Sequence, residues 1–330
     1  FNGKGNPLEE KSFPLIENPE KNEVLVEITL ATICGSDVHT WLGHRPFPTP
    51  CILGHEIVGK ITKLGENVKH DFSGDTLNIG DRIVWAMTVG CDDCFFCKNG
   101  IPQKCVNLFK YGHERSDASP FLNGGLSKYI ILKKNTAIFK IPDNLTDEEV
   151  SPLMCAGACV LNGLDLANFS ECDYFIVQGC GALGIYACAF GKELGAKNIV
   201  ERKELEVEPR VLGKGLWDGV VDTVGGVVLA NAISQTKHGG IVAACGNAAS
   251  IKLNTTVMPF IIRGVKLWGI DSVALSKKRR EFVWSQVSNL IDFKLLEKNI
   301  KTVNLEELLE IFPDMLNGKI SGRILVDLNK

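Results

Sequence analysis

Four cysteines fall within fifteen residues of this chain, Cys91, Cys94, Cys97 and Cys105, in the spacing C-x2-C-x2-C-x7-C. Thiolates this close in sequence can converge on one tetrahedral ion, and Gly90 and Gly100 let the chain bend around it. Four sulfurs leave no coordination position for a substrate, so such a site is structural. Two alternatives stand beside it. Iron–sulfur binding also takes four cysteines, in other spacings, and scattered buried thiols need no metal at all. The clustering favours structural zinc. The chain holds twelve cysteines in all. In a small secreted protein that number would suggest disulfides. Here the opening FNGKGNPLEE lacks the basic and apolar parts of a signal peptide, and the expectation is a reducing, cytoplasmic setting.

At 330 residues the chain is too long for one ordinary core and suits two domains. A net charge of −3 provides no field for nucleic acid or an anionic membrane. No apolar run reaches the roughly 18 residues of a membrane span. From about residue 23 to 140, runs such as EVLVEITLATI, EIVGKITKLG, GDRIVWAM and LSKYIIL are apolar or alternating and bounded by Gly, Asn and Asp, which predicts a β-rich domain. The period then changes. Thr146 and Glu149 have capping-box spacing, and the apolar residues behind them predict a helix. WDGVVDTVGG, GGIVAACGNA and VKLWGID each carry a strand-like core between helical segments, which implies a parallel, helix-covered sheet. A charged amphipathic helix follows Asp271, and the tail predicts a helix and then a strand.

Gly179-Cys180-Gly181-Ala182-Leu183-Gly184 follows the strand-like YFIVQ and opens a helix. In that setting GxGxxG is a phosphate-binding turn. Its first glycine permits the turn, its second lets backbone amides approach a pyrophosphate, and its third allows close helix–strand packing. The alternative is a glycine-rich turn without a ligand. An acid about 20 residues on would meet the ribose hydroxyls. Glu201 would suit NAD; Arg202 or Lys203 would suit the 2′-phosphate of NADP.

Three more segments stand far apart: Cys34-Gly35-Ser36-Asp37-Val38-His39, Gly54-His55-Glu56, and Cys155 in PLMCAGAC. Each alone is weak, because a lone histidine or a lone cysteine in an apolar stretch is more often packing. Together with Gly80-Asp81-Arg82, the cysteine loop and the glycine turn, in this order, they resemble the zinc-containing medium-chain alcohol dehydrogenase family. The resemblance implies a GroES-like β-rich catalytic domain over residues 1–150, rejoined by 292–330. It implies a Rossmann-type doubly wound parallel sheet, here shortened, over 151–291. It implies two zinc ions per chain, one structural at the cysteine loop and one catalytic on Cys34, His55 and Cys155 with an open fourth position. Glu56 would lie behind that metal or ligate it transiently, and Asp37 would hold the second nitrogen of His55. Ser36 would accept the alcohol proton and His39 would pass it to solvent. Trp41 and Phe47 are candidates for a substrate wall or for plain packing. The implied partners are a small alcohol or carbonyl substrate, NAD or NADP, and further copies in a homodimer or homotetramer, paired near VKLWGI.

The resemblance also has a seam. The region GCDDCFFCKNGIPQKCVNLFKYGHE looks closest to a branch associated with phosphonate breakdown, whereas residues from WDGVVDTVGG onward resemble the zinc-independent quinone and acrylyl-CoA reductases. Between Gly184 and Asp222 there is room for about one βα unit where the family fits two, so a junction is expected near residues 192–203. The leading expectation is zinc-dependent, NAD(P)-dependent alcohol oxidation or its reverse. Beside it stand NADPH-dependent reduction of an enone or quinone, and a zinc-stabilised scaffold without cofactor binding.

Overall fold

The first long strand, β1 (Val24–Ile33), serves two cores at once. It pairs antiparallel with β2 (Glu56–Leu64), and the register shifts between Leu25 and Val26 and between Ile28 and Leu30. Successive side chains of a strand point to opposite faces, and the second shift, which leaves Thr29 extra in β1, re-aims those that follow it. Val24, Val26 and Ile28 thus enter one cluster with Ile57, Ile61, Ile83, Trp85 and Ile130. Ile33 enters another with Val38, Leu53, Phe312, Ile324 and Val326. The bulged strand thereby delivers its C-terminal end, and the residues after it, to a different part of the unit.

The computed structural model describes residues 1–14, 16–45, 47–167, 174–179, 181–193, 204–270, 277–290, 299–317, 319–320 and 322–328. The chain divides into two compact units, one of residues 1–155, 273–281 and 297–330, the other of 156–272 and 282–296. In the first, a seven-stranded sheet runs in the order Ile300–Val303, Arg323–Val326, β1, β2, β3 (Arg82–Trp85), Ile138–Lys140, with Tyr129–Leu132 also paired to β1. Most of its pairings are antiparallel; the two tail strands run parallel to each other. A two-stranded ribbon, Thr88–Val89 with Phe109–Lys110, brackets the cysteine loop. Trp41 packs edge-on against Phe312, with ring centroids 5.4 Å apart, so it belongs to a hydrophobic cluster.

The expected capping box is present. Glu149 N–H donates to Thr146 Oγ1 at 3.3 Å, and Thr146 N–H donates to the Glu149 carboxylate at 2.7 Å. The helix expected behind it is present but interrupted. α1 (Gly35–Trp41) follows β1, whereas the capped helix α2 (Asp147–Val150) gives way to a tight 3-10 turn over Ser151–Met154. Cys155 follows, and only then does α3 (Ala156–Ala167) begin. Pro152 is the physical reason: it has no N–H to donate, and its ring crowds the preceding turn. The break leaves Cys155 at a corner.

In the second unit, β4 (Phe175–Gln178), β5 (Trp217–Asp222), β6 (Thr236–Ala244) and β7 (Lys266–Gly269) form a parallel sheet in the order β7-β6-β5-β4. Val220, Val228, Ile233 and Val242 lie at its core. α4 (Ala182–Glu193) follows β4 directly. The stretch 194–203, where a second helix or strand was in question, lies outside the described residues. Among the described residues no helix is long and apolar enough to cross a membrane.

Candidate metal centres and nucleotide turn

Asp37 organises the first site. It sits in the opening turn of α1, fully buried, and its carboxylate accepts from Cys34 N–H at 2.9 Å, Gly54 N–H at 3.2 Å and His55 Nδ1 at 3.1 Å. One side chain thus ties the end of β1 to the segment entering β2. A carboxylate can only accept from the ring, so Nδ1 carries the proton and the Nε2 edge of His55 is turned elsewhere. There it meets Cys34 from the helix start and Cys155 from the corner after the 3-10 turn. One ligand atom from each of Cys34, His55 and Cys155 lies within 4.8 Å of the others. Ser36 Oγ stands 3.3 Å from His55 Nε2.

The electrostatics suit a cation. A hydrogen bond from Cys155, aided by His55, holds the Cys34 thiol well below its usual range against the cost of burial. Burial pulls His55 down, but the charge and hydrogen bond of Asp37, with Cys34 beside it, outweigh that and hold it well above its usual value. Two sulfurs and one imidazole whose far nitrogen is fixed by a carboxylate form a donor set suited to zinc. Glu56 lies outside this converging set. Its carboxylate is buried and 3.3 Å from Arg323 Nη2. Burial pushes Glu56 up to about 8, against the pull of Arg323. His39 is turned toward His44, with their Nδ1 atoms 3.4 Å apart at an exposed position.

The second cluster is the cysteine loop. Its four Sγ atoms also lie within 4.8 Å of one another. Cys105 Sγ accepts from the backbone N–H of Cys91 at 3.2 Å and of Asn107 at 3.3 Å, and Cys91 Sγ accepts from Cys94 N–H at 3.3 Å. Amides aimed at sulfur favour the thiolate, which is the ligand form. None of the four is in a disulfide, and Cys91 and Cys97 are 4.0 Å apart. That separation is close to the edge of about 3.8 Å that a tetrahedron of Zn–S bonds requires.

The glycine turn leaves β4 at Gly179, whose φ of +97° is in the left-handed region. A Cβ on Gly184 would stand 1.7 Å from Gly179 O, so the third glycine is what lets the helix sit on the turn. A Cβ on Gly181 would meet nothing within 4 Å, which leaves that backbone open to a ligand. Ala182 and Leu183 start α4. Thr223 Oγ1 donates to Gln178 O at 2.6 Å and closes the turn from the neighbouring strand. Glu201 and Arg202 lie outside the described residues.

One residue near the first cluster carried no sequence signal of its own. His113, 2 % exposed, stands with its ring centroid 5.4 Å from that of His55 and 4.2 Å from that of Phe47. Burial pushes it down to about 3, so the ring is neutral. A histidine two residues beyond Phe109-Lys110-Tyr111, after the last cysteine of the loop, was the only clue.

Residues 20–143 match the model of the alcohol dehydrogenase GroES-like domain. Alcohol dehydrogenase 1 of Caenorhabditis elegans is 27 % identical over 100 % of this chain and 96 % of its own length. A probable acrylyl-CoA reductase of Escherichia coli is 41 % identical over 138 residues, 42 % of each chain. The crystal structure of an alcohol dehydrogenase from Thermotoga maritima superposes with a TM-score of 0.84 at 24 % identity, covering 99 % of this chain and 97 % of that one, a likeness of fold.

Proposed function

We propose that the chain is a zinc-containing medium-chain alcohol dehydrogenase and that it oxidises an alcohol, or reduces the matching aldehyde or ketone, with a nicotinamide cofactor. Its architecture is that of the family's oxidoreductases, a GroES-like β-rich unit and a Rossmann-type parallel sheet. The convergence of Cys34, His55 and Cys155 carries the reading.

Cys34, His55 and Cys155 would hold the catalytic zinc, and Cys91, Cys94, Cys97 and Cys105 the structural one. Zinc in the first site supplies a positive charge without redox activity, which lowers the pKa of an alcohol hydroxyl. The Gly179–Gly184 turn and the start of α4 would hold the pyrophosphate of NAD or NADP, which would supply the hydride acceptor. The residues do the rest. Asp37 locks the ring of His55. Ser36 Oγ would accept the leaving hydroxyl proton as it gives up its own, and the exposed His39, beside His44, would return that proton to water.

Zinc analysis of the protein as purified, together with Cys34→Ala, tests this. The expected result is two zinc ions per chain in the wild type, one in the variant, and loss of alcohol-dependent nicotinamide reduction with the far-UV spectrum unchanged. Near-normal alcohol oxidation by Cys34→Ala sinks the reading. Calorimetric titration with NAD⁺ and then NADP⁺ assigns the cofactor. The 41 % identity to the acrylyl-CoA reductase over 138 residues favours one second reading, NADPH-dependent reduction of an activated C=C bond. Metal-stripped protein that reduces an enone at full rate would establish it.

A further inference from the structure

We propose that His113 sets substrate specificity: its bare Nε2 accepts a hydrogen bond from a second hydroxyl of the alcohol, so the enzyme favours a diol over the matching monohydric alcohol. The proposal rests on the alcohol-oxidising reading above.

The tautomer follows from one contact. His113 Nδ1 lies 3.2 Å from the carbonyl oxygen of Tyr111, which can only accept, so Nδ1 carries the proton. In the neutral ring Nε2 is then an acceptor. It is buried and has no hydrogen-bond partner among the described residues. Buried acceptors are nearly always satisfied, and those that are not commonly belong to functional sites.

The backbone places this ring beside one of the candidate donors, its centroid 5.4 Å from that of His55. A Cβ on Gly112 would stand 2.4 Å from Gly54 O, so the His113 loop is seated on the residue that precedes His55. Gly112 N–H donates to Asn123 O at 2.8 Å and holds it there. Phe47 closes the other side of the His113 ring edge-on. His113 is not itself in the converging donor set.

An apolar substituent would leave Nε2 unpaired, and a carbonyl or carboxylate would face it lone pair to lone pair. A donor answers it. With the reacting hydroxyl held at Cys34, His55 and Cys155, a hydroxyl on the neighbouring carbon is the donor of matching chemistry.

The test has two arms. In the first, zinc-loaded wild-type protein with 15N-labelled histidine is titrated with 1,2-propanediol and with 1-propanol, without nicotinamide. The His113 Nε2 resonance is expected to shift with the diol and stay in place with the monohydric alcohol. No shift with saturating diol, or equal shifts with both, overturns the proposal. In the second arm, the ratio of kcat/KM for the two alcohols is compared between wild type and His113→Phe. The ratio is expected to fall about tenfold, the worth of one hydrogen bond, and to recover in part in His113→Asn, which restores an acceptor. An unchanged ratio in His113→Phe overturns it. Wild-type protein that oxidises neither alcohol would instead count against the alcohol-oxidising reading, and the resonance arm would still decide for His113.

Discussion

Asp37 shows how much of this candidate site rests on a residue outside the converging donor set. Its carboxylate accepts from Cys34 N–H, Gly54 N–H and His55 Nδ1. Asp37→Asn keeps the shape but turns an N–H₂ toward at least one of those donors. The expected outcome is a loss of about 10- to 100-fold in affinity at the catalytic zinc, with the four-cysteine ion retained; competition with a chromogenic chelator resolves the two. At this scale the sequence was legible wherever a short motif set the chemistry. The segments around Cys34 and His55, through the family resemblance they carry, point to the candidate ligands and to the carboxylate that accepts from His55. His113 was illegible because its role depends on a contact between Gly112 and Gly54, fifty-eight positions apart and without any periodic pattern. Glu56 adjoins the candidate ligand His55 in sequence, but its carboxylate lies 3.3 Å from Arg323 in a strand near the end of the chain, which no local spacing could reveal.

Elements divide in the same way. The strand–turn–helix at Gly179 could be read because its first and third glycines answer local steric demands. A Cβ on Gly184 cannot coexist with Gly179 O. Gly184→Ala is therefore expected to abolish calorimetric binding of both NAD⁺ and NADP⁺ while both zinc ions remain, since the cysteine and histidine ligands belong to other segments. Normal cofactor affinity in that variant would refute the role given to the turn. The capping box at Thr146 and Glu149 was also local, and Thr146→Ala is expected to cost about 1 kcal/mol, measured as a fall in the denaturant midpoint. The break at Pro152 was missed because the apolar pattern continues across it. A helical period records which side chains are buried, not whether the backbone bonds are made. The register shifts in β1 were likewise out of reach, since they reflect which of two cores each half of the strand enters.

For the whole molecule, burial of titratable groups gives stability a direction with pH. Burial pushes the Cys51 thiol up to about 11 from 9.0, and burial likewise raises the Tyr111 phenol, which is fully buried. A group whose folded pKa is raised holds its proton more tightly in the native state. Its contribution is whole below the unfolded value and drains away as pH climbs through the folded one. The melting temperature is thus expected to fall between about pH 9 and pH 11, and Cys51→Val to make that decline shallower; an unchanged slope would show that Cys51 stays protonated in both states or in neither. Length, the change of period near residue 146 and the order of motifs were enough to read a β-rich domain and a parallel nucleotide-type sheet from the sequence, because hydrophobic period and glycine placement are local consequences of backbone geometry. The four-cysteine set could be read from residue type and spacing, whereas Cys34, His55 and Cys155 came together in the reading only through the family resemblance. Only the tertiary structure decided that Asp37 binds two distant segments together, that Cys155 stands at a proline-made corner, and that His113 leaves a bare nitrogen beside His55. Each of these depends on which surfaces exclude water against one another, and that is a property of the packed chain rather than of any stretch of it.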